Sequence, residues 1–299
     1  VLSLMGMLSA LYVDLLIPCL PAIMNQYHCS YHAAHWAITI FMFGMTFSQL
    51  LVGPLADHYG RRLVFLISAS GLLIVTVLSI LSHSIGLLIF FRFLEAVLVC
   101  AVSTISCCLA TDAYSGKQTQ KTFAHMNAWL ALSPGLGPIL SANMEHAWHW
   151  HSILWLLSAV TITLILIYAY FIQETGENLS AQPLKHVPFW KHYKIILNHP
   201  TCFWYSLSGG FAFSACLIYV ITAPYLLTHQ FGLSTKMFAN LFAINAIGFF
   251  VGGLLSSHLT LKTNLSTNQI TRIGALLILS SGMLMAFTLH FVQASAYTV

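Results

Sequence analysis

Nine apolar stretches, each about as long as a bilayer's hydrocarbon core is thick, follow one another along this chain. They cover residues 2–22, 35–56, 63–81, 87–110, 123–142, 152–172, 202–226, 238–259 and 270–291. Lipid offers no partner to an open backbone N–H or C=O, so each stretch is predicted to be an α-helix, giving an all-α polytopic membrane protein. Charged residues make up only 6% of the 299 residues, against about a quarter in soluble domains, which excludes a water-surfaced fold. The mean hydropathy of +0.82 comes from the whole chain and not from one anchor on a soluble domain. The first stretch reads as a retained span and not a cleavable signal. It carries Asp14 near its centre, ends in Pro18 and Pro21, and lacks a basic leader.

Lys and Arg set the expected orientation. With a cytoplasmic N-terminus, the inner connections hold Arg61, Arg62, Lys117, Lys121, Lys185, Lys191, Lys194, Lys262 and Arg272, and the outer ones hold only Lys236. That is the positive-inside pattern, so the net charge of +4 reads as topology and not as a nucleic-acid surface. A polar stretch with Pro183 and Pro188 separates the sixth and seventh spans. The expected domains are a six-helix bundle over 1–172, a cytoplasmic linker over 173–200, and a partial second bundle, helices 7–9, over 201–299. A weak internal echo, GPLADHYGRR after the second span and GGLLSSHLTLK after the eighth, fits two related halves. Of the seven cysteines only Cys29 falls in an outer connection; the others read as small buried hydrophobes without a redox role.

The most informative residues are charges placed where charge is costly. Asp14, Arg92 and Glu95 are the only Asp, Glu, Lys or Arg well inside a span, and each costs roughly 2.5–3.5 kcal/mol at a helix centre. Asp14 and Arg92 both lie about eight residues, or ~12 Å, from the outer ends of their helices, so they are able to meet across a bundle. At 100° per residue Arg92, Glu95, Ser103 and Ser106 fall within an arc of about 80°, a polar face expected to line something wet. The plainer reading is that Arg92 and Glu95, at i and i+3, neutralise each other as a packing pair.

The string GPLADHYGRRLVF, residues 53–65, resembles the loop signature of the major facilitator superfamily between its second and third helices. Gly53, Leu55, Asp57, Gly60, Arg61 and Arg62 stand at the matching places. Gly53 and Gly60 are expected to permit close packing and a tight turn, with Asp57 and the arginines pairing with each other or with a helix end. LYVDLLIPCLP in the first span is similar to the bicyclomycin-resistance and chloramphenicol-exporter branch of the drug/proton antiporters, with Val13 and Leu16 replacing the usual Thr and Tyr. RFLEA resembles that branch's fourth-helix R-x-x-Q, with Glu95 where Gln is usual. SPGLGPILSA, with Ser133, Pro134, Gly137 and Pro138, resembles the antiporter motif; Gly137 and Pro138 match it, and Ser133, Ser141 and Ala142 stand in place of glycines.

The resemblance implies twelve helices in two bundles, of which nine are expected here, and a proton-coupled antiporter exporting drug-like or metabolite molecules by alternating access. It implies proton coupling at Asp14, Arg92 and Glu95, and a conformational latch at Gly53, Asp57, Gly60, Arg61 and Arg62. Ser103, Ser106, Tyr205, Tyr219 and Asn245 are candidate cavity residues; for the last three, bonding between helices is the open alternative. His146, His149 and His151 in HAWHWH read as surface histidines flanked by interfacial tryptophans, and no metal or cofactor is expected. The expected partners are a small-molecule substrate, protons and the lipid bilayer of a bacterial inner membrane, with no nucleic acid, for a monomeric protein. A nutrient symporter or facilitator of the same fold is the alternative. A membrane-embedded enzyme is the remote one, since it needs more than one histidine cluster.

Overall fold

The computed structural model describes residues 1–171, 193–194, 197–225, 244, 247–256, 258–259 and 267–296. The described secondary structure is helical throughout. The helices are α1 (Leu2–Asp14), α2 (Leu20–Tyr27), α3 (Tyr31–Tyr59), α4 (Arg61–Ile80), α5 (Ile85–Ala113), α6 (Lys117–Trp148), α7 (His151–Phe171), α8 (Pro200–Tyr225), α9 (Ile247–Ser256) and α10 (Thr267–Ala296). By their contacts the residues form two compact units. One is Val1–Pro188 with Ala239–Leu254, and the other is Phe189–Phe238 with Leu255–Val299. Most of the expected linker at 173–200 lies outside the described residues.

Helix boundaries follow local chemistry. Ser30 caps α3 by accepting the Ala33 N–H at 3.3 Å, and Ser84 caps α5 by accepting that of Leu87 at 3.3 Å. His28 ends α2 in the left-handed region at φ 47°. Gly60 turns the chain from α3 into α4 at φ 89°, where a Cβ is strongly disfavoured. The expected loop over 53–62 is therefore helix except at Gly60, and Pro54 lies inside α3.

Among the described residues six helical stretches are long and apolar enough to cross a membrane. They are Leu2–Tyr27, α3, α4, α5, α7 and Asn268–Phe287 of α10. The fifth and seventh predicted spans lie in α6 and α8, long helices outside that set. For α6 the reason is its load of Gln118, Gln120, His125, Asn127, Ser133, Ser141 and Asn143.

In the first unit α5 packs against α1, α3 and α4, and α1 also packs against α6. The apolar window of the first stretch is 61% buried against 28% for α3, so the first stretch is the interior helix and α3 faces outward. The α3–α5 approach depends on Gly44, where a Cβ would stand 2.9 Å from both the Phe93 carbonyl oxygen and the Ala96 Cβ. Ser48 locks the same seam by donating to the Val97 carbonyl at 2.7 Å. In the second unit Tyr205 of α8 donates its hydroxyl to the Asn268 side chain of α10.

Gly44→Ala should destabilise the protein by about 1–3 kcal/mol, because a backbone carbonyl cannot yield as a flexible side chain does. Thermal unfolding in detergent measures it, with Gly71→Ala as the control, since a Cβ there meets only Leu98 methyls at 3.4 Å.

Candidate functional site

The first predicted span is not one helix. α1 stops at Asp14, a 3-10 turn follows over Ile17–Cys19, and α2 begins at Leu20. Pro18 explains the break: it has no N–H for the Asp14 carbonyl, and its ring crowds that carbonyl. In the tightened turn the Cys19 N–H reaches the Leu16 carbonyl at 3.0 Å, which frees the Leu15 carbonyl from its α-helical partner.

α6 fills the gap with small residues one turn apart. Ser141, fully buried, donates its hydroxyl to the freed Leu15 carbonyl and lies 3.2 Å from the Cys19 thiol. Gly137 lies directly against Asp14, where a Cβ would stand 2.9 Å from the Asp14 Cβ and 3.3 Å from its carbonyl oxygen. Ser133 is fully buried with its hydroxyl beside the Asp14 carboxylate, and that hydroxyl has no hydrogen-bond partner among the described residues. Pro134 is half-buried in the same helix, which also carries Pro138. The string resembling the antiporter motif is thus the surface on which the broken helix rests.

Arg92 does not reach Asp14. Its guanidinium, 1% exposed, gives Nη1 to Glu95 Oε2 at 2.7 Å and Nη2 to the Tyr12 carbonyl at 2.7 Å. The Phe41 ring lies 4.2 Å from its central carbon. Glu95, fully buried, accepts the Ser79 hydroxyl at 2.5 Å with its other oxygen. The packing pair foreseen as the plainer reading is present, and it grips α1 two residues before Asp14. Among the described residues Asp14 itself forms no ion pair.

The remaining polar face of α5 is also packed. Ser103 donates to the Cys100 carbonyl at 3.0 Å and Ser106 to the Ser103 carbonyl at 2.6 Å, while Gly6 of α1 sits against Ser106. The expectation that this face lines something wet is corrected for Ser106, which is fully buried. Tyr205 is exposed and Tyr219 half-buried; Asn245 lies outside the described residues.

At the other end of the bundle Arg61 pairs with Asp57 at 2.6 Å and with Asp112, at the end of α5, at 3.2 Å. Arg62 donates to the Ala169 carbonyl near the end of α7 at 2.9 Å. The ends of α3, α4, α5 and α7 are so tied together. Gly60 makes the turn, but Gly53 has open space where its Cβ would be, so the close packing expected at Gly53 is absent within this unit.

In the connection between α6 and α7, Trp150 is buried. Its indole N–H donates to Gln26 at 2.6 Å, and its ring stacks on His151. Sequence reasoning passed over the Tyr12 carbonyl, Ser79 and Gln26. Only Ser79, a hydroxyl near the end of an apolar run, carried a visible signal.

The Major Facilitator Superfamily model matches residues 2–299. The bicyclomycin resistance protein homolog of Haemophilus influenzae is 24% identical over 96% of this chain and 72% of its own length. The multidrug transporter MdfA of Yersinia pestis is 25% identical over 88% of this chain and 63% of its own length. Among solved structures, the proton:xylose symporter XylE shares the fold at a TM-score of 0.67 with 13% identity, over 87% of this chain and 68% of that one.

Gly137→Ala should push α6 off the break in α1 and cost about 1–3 kcal/mol. Ser141→Ala should cost about 1 kcal/mol, because it leaves the buried Leu15 carbonyl with only the weak Cys19 thiol donor at 3.7 Å. Unfolding midpoints of the two single variants and the double variant should show coupling, since both act on the same break.

Proposed function

Because this chain belongs to the Major Facilitator Superfamily, and so is a membrane transporter and not an enzyme, we propose that it is a proton-coupled antiporter exporting drug-like or metabolite molecules by alternating access. The N-terminus is cytoplasmic and the membrane is a bacterial inner membrane on this reading. The observation that carries it is the placement of Asp14, a carboxylate at a helix break, packed on Gly137 and Ser133 and free of any ion pair among the described residues. An acid with no fixed counter-ion is the one whose charge changes when a proton arrives. A broken helix is where such a change most readily alters backbone geometry. The names of the two relatives, a bicyclomycin resistance protein homolog and a multidrug transporter, support the substrate class.

In this mechanism a proton from outside neutralises Asp14 and releases a substrate that competes for the same cavity, to which Ser103, Tyr205, Tyr219 and Asn245 contribute. Arg92 and Glu95 hold α1 in place beside it. The gradient supplies about 2.3 kcal/mol per charge per 100 mV. Gly53, Asp57, Gly60, Arg61 and Arg62 form the latch that keeps the cytoplasmic side closed.

Asp14→Asn should bind substrate and fold normally but lose uphill export. Proteoliposomes with an imposed pH gradient and a panel of candidate compounds test this, and export equal to the parent's removes Asp14 from the coupling role. Asp57→Asn should slow turnover strongly while affinity stays within a few-fold. An exposed i, i+4 pair contributes only about 0.3–0.5 kcal/mol, too little to threaten the fold. Affinity lost in step with transport places Asp57 in folding or in the binding site instead.

A further inference from the structure

A serine or threonine inside a helix ordinarily returns its hydroxyl to a carbonyl one turn back. α7 shows this three times: Ser158 donates to the Leu154 carbonyl, Thr161 to that of Leu157 and Thr163 to that of Ala159, each at 2.8 Å. Ser133 of α6 does not. Its hydroxyl is fully buried and makes no hydrogen bond among the described residues, although the Trp129 carbonyl stands one turn back. A buried hydroxyl left unpaired is costly, so a group beside it has to become its partner in some state of the protein. That group is the Asp14 carboxylate. Ser133, Gly137 and Ser141 recur every four residues along one face of α6. The other two already meet the broken helix, Gly137 at Asp14 and Ser141 at the Leu15 carbonyl.

The titratable groups on the elements packed against α1 are engaged elsewhere. Arg92 and Glu95 of α5 hold each other at 2.7 Å, and the Tyr168 ring of α7 stacks on Phe65. In the 3-10 turn the Cys19 thiol lies 3.2 Å from the Ser141 hydroxyl, and on α1 itself the Tyr12 hydroxyl lies 2.9 Å from that of Thr76. Along α6 the nearest in sequence are His125, two turns before Ser133, and Glu145, three turns after it.

We infer that Ser133 is a positioning residue whose hydroxyl has two places to go. It donates to the Asp14 carboxylate while that group is ionised, and it turns back to the Trp129 carbonyl once Asp14 is protonated. The serine gains and loses no proton. A proton from water forms an O–H bond on one Asp14 carboxylate oxygen, and Ser133 only rotates. Loading Asp14 thus removes one polar link between α6 and the broken helix and leaves the Ser141 bond to Leu15 as the other. The charge on α1 is in this way passed to α6. The motif that SPGLGPILSA resembles has glycine at this position, so the hydroxyl is an addition of this chain. The inference rests on the proposed function above, in which Asp14 is the acid that binds the proton.

Infrared difference spectra of the intact protein in proteoliposomes, titrated with pH and without any substrate, test it. The Asp14 carboxylic-acid band is the one that Asp14→Asn removes. Ser133→Ala and Ser133→Gly keep a small residue against α1 but lose the donor to the charged form. The pH at which the band is half-formed should therefore move up by about one unit, a hold on the proton about ten-fold tighter. Ser133→Thr keeps a hydroxyl and should return the midpoint towards the parent's. A midpoint that stays at the parent value in both Ser133→Ala and Ser133→Gly overturns the inference, as does one displaced in Ser133→Thr as far as in Ser133→Ala. A parent protein without a band that Asp14→Asn removes overturns it too. The transport reading fails by a different result, uphill export by Asp14→Asn, whatever the Ser133 variants do to the band.

Discussion

A guanidinium with 1% of its surface exposed, in the middle of an apolar bundle, constrains everything around it. Arg92 cannot lose its charge, so neighbouring helices have to supply what water would have given. Glu95 gives the counter-charge, α1 gives a backbone carbonyl, α3 gives the face of Phe41, and α4 reaches the pair through Ser79. Four helices are thereby held in one arrangement by a single side chain. Removing either partner of such a pair costs about 3–5 kcal/mol, whereas replacing both with apolar residues is often neutral. The pair therefore specifies how the helices fit together more than it adds to overall stability.

The second organising feature is the break after Asp14. A proline four residues on denies the Asp14 carbonyl its helical partner, and the tightened turn leaves the Leu15 carbonyl without a backbone donor, with only the weak Cys19 thiol from its own stretch. Ser141 supplies the missing bond, and Gly137 lets the two backbones approach closely enough for it to form. The carboxylate of Asp14 is therefore held on an irregular piece of backbone whose polar groups are met by a neighbour. Irregular backbone at membrane depth is tolerated only under such cover.

Much of this was legible in the sequence, and the rest was not for identifiable reasons. Apolar runs located the spans, because the bilayer fixes both their length and their composition. The three charges within the spans stood out because each is expensive. Their pairing was less clear: spacing allowed Arg92 to meet either Glu95 or Asp14, and depth along a helix does not say which way a side chain turns. The break in the first span was hidden because Pro18 and Pro21 read equally well as the end of a helix. Gly53 and Gly60 looked alike in the loop string, yet only Gly60 needs a positive φ, and a Cβ at Gly53 would meet nothing within 4 Å. Asn245 lies outside the described residues, so that candidate cavity position rests on the sequence alone.

The bond from Arg92 to α1 ends on the carbonyl of residue 12 and not on its side chain. Every amino acid carries that carbonyl, so residue 12 is able to drift over evolutionary time without breaking the link to Arg92. Statistical comparison of position 92 with position 12 would then register little covariation, although the two are joined by a 2.7 Å hydrogen bond. Glu95 and Ser79 are joined through side chains, and there a substitution at one position bears directly on the other. The bond by which Arg92 holds α1 is thus the one that family-wide sequence statistics are least equipped to detect.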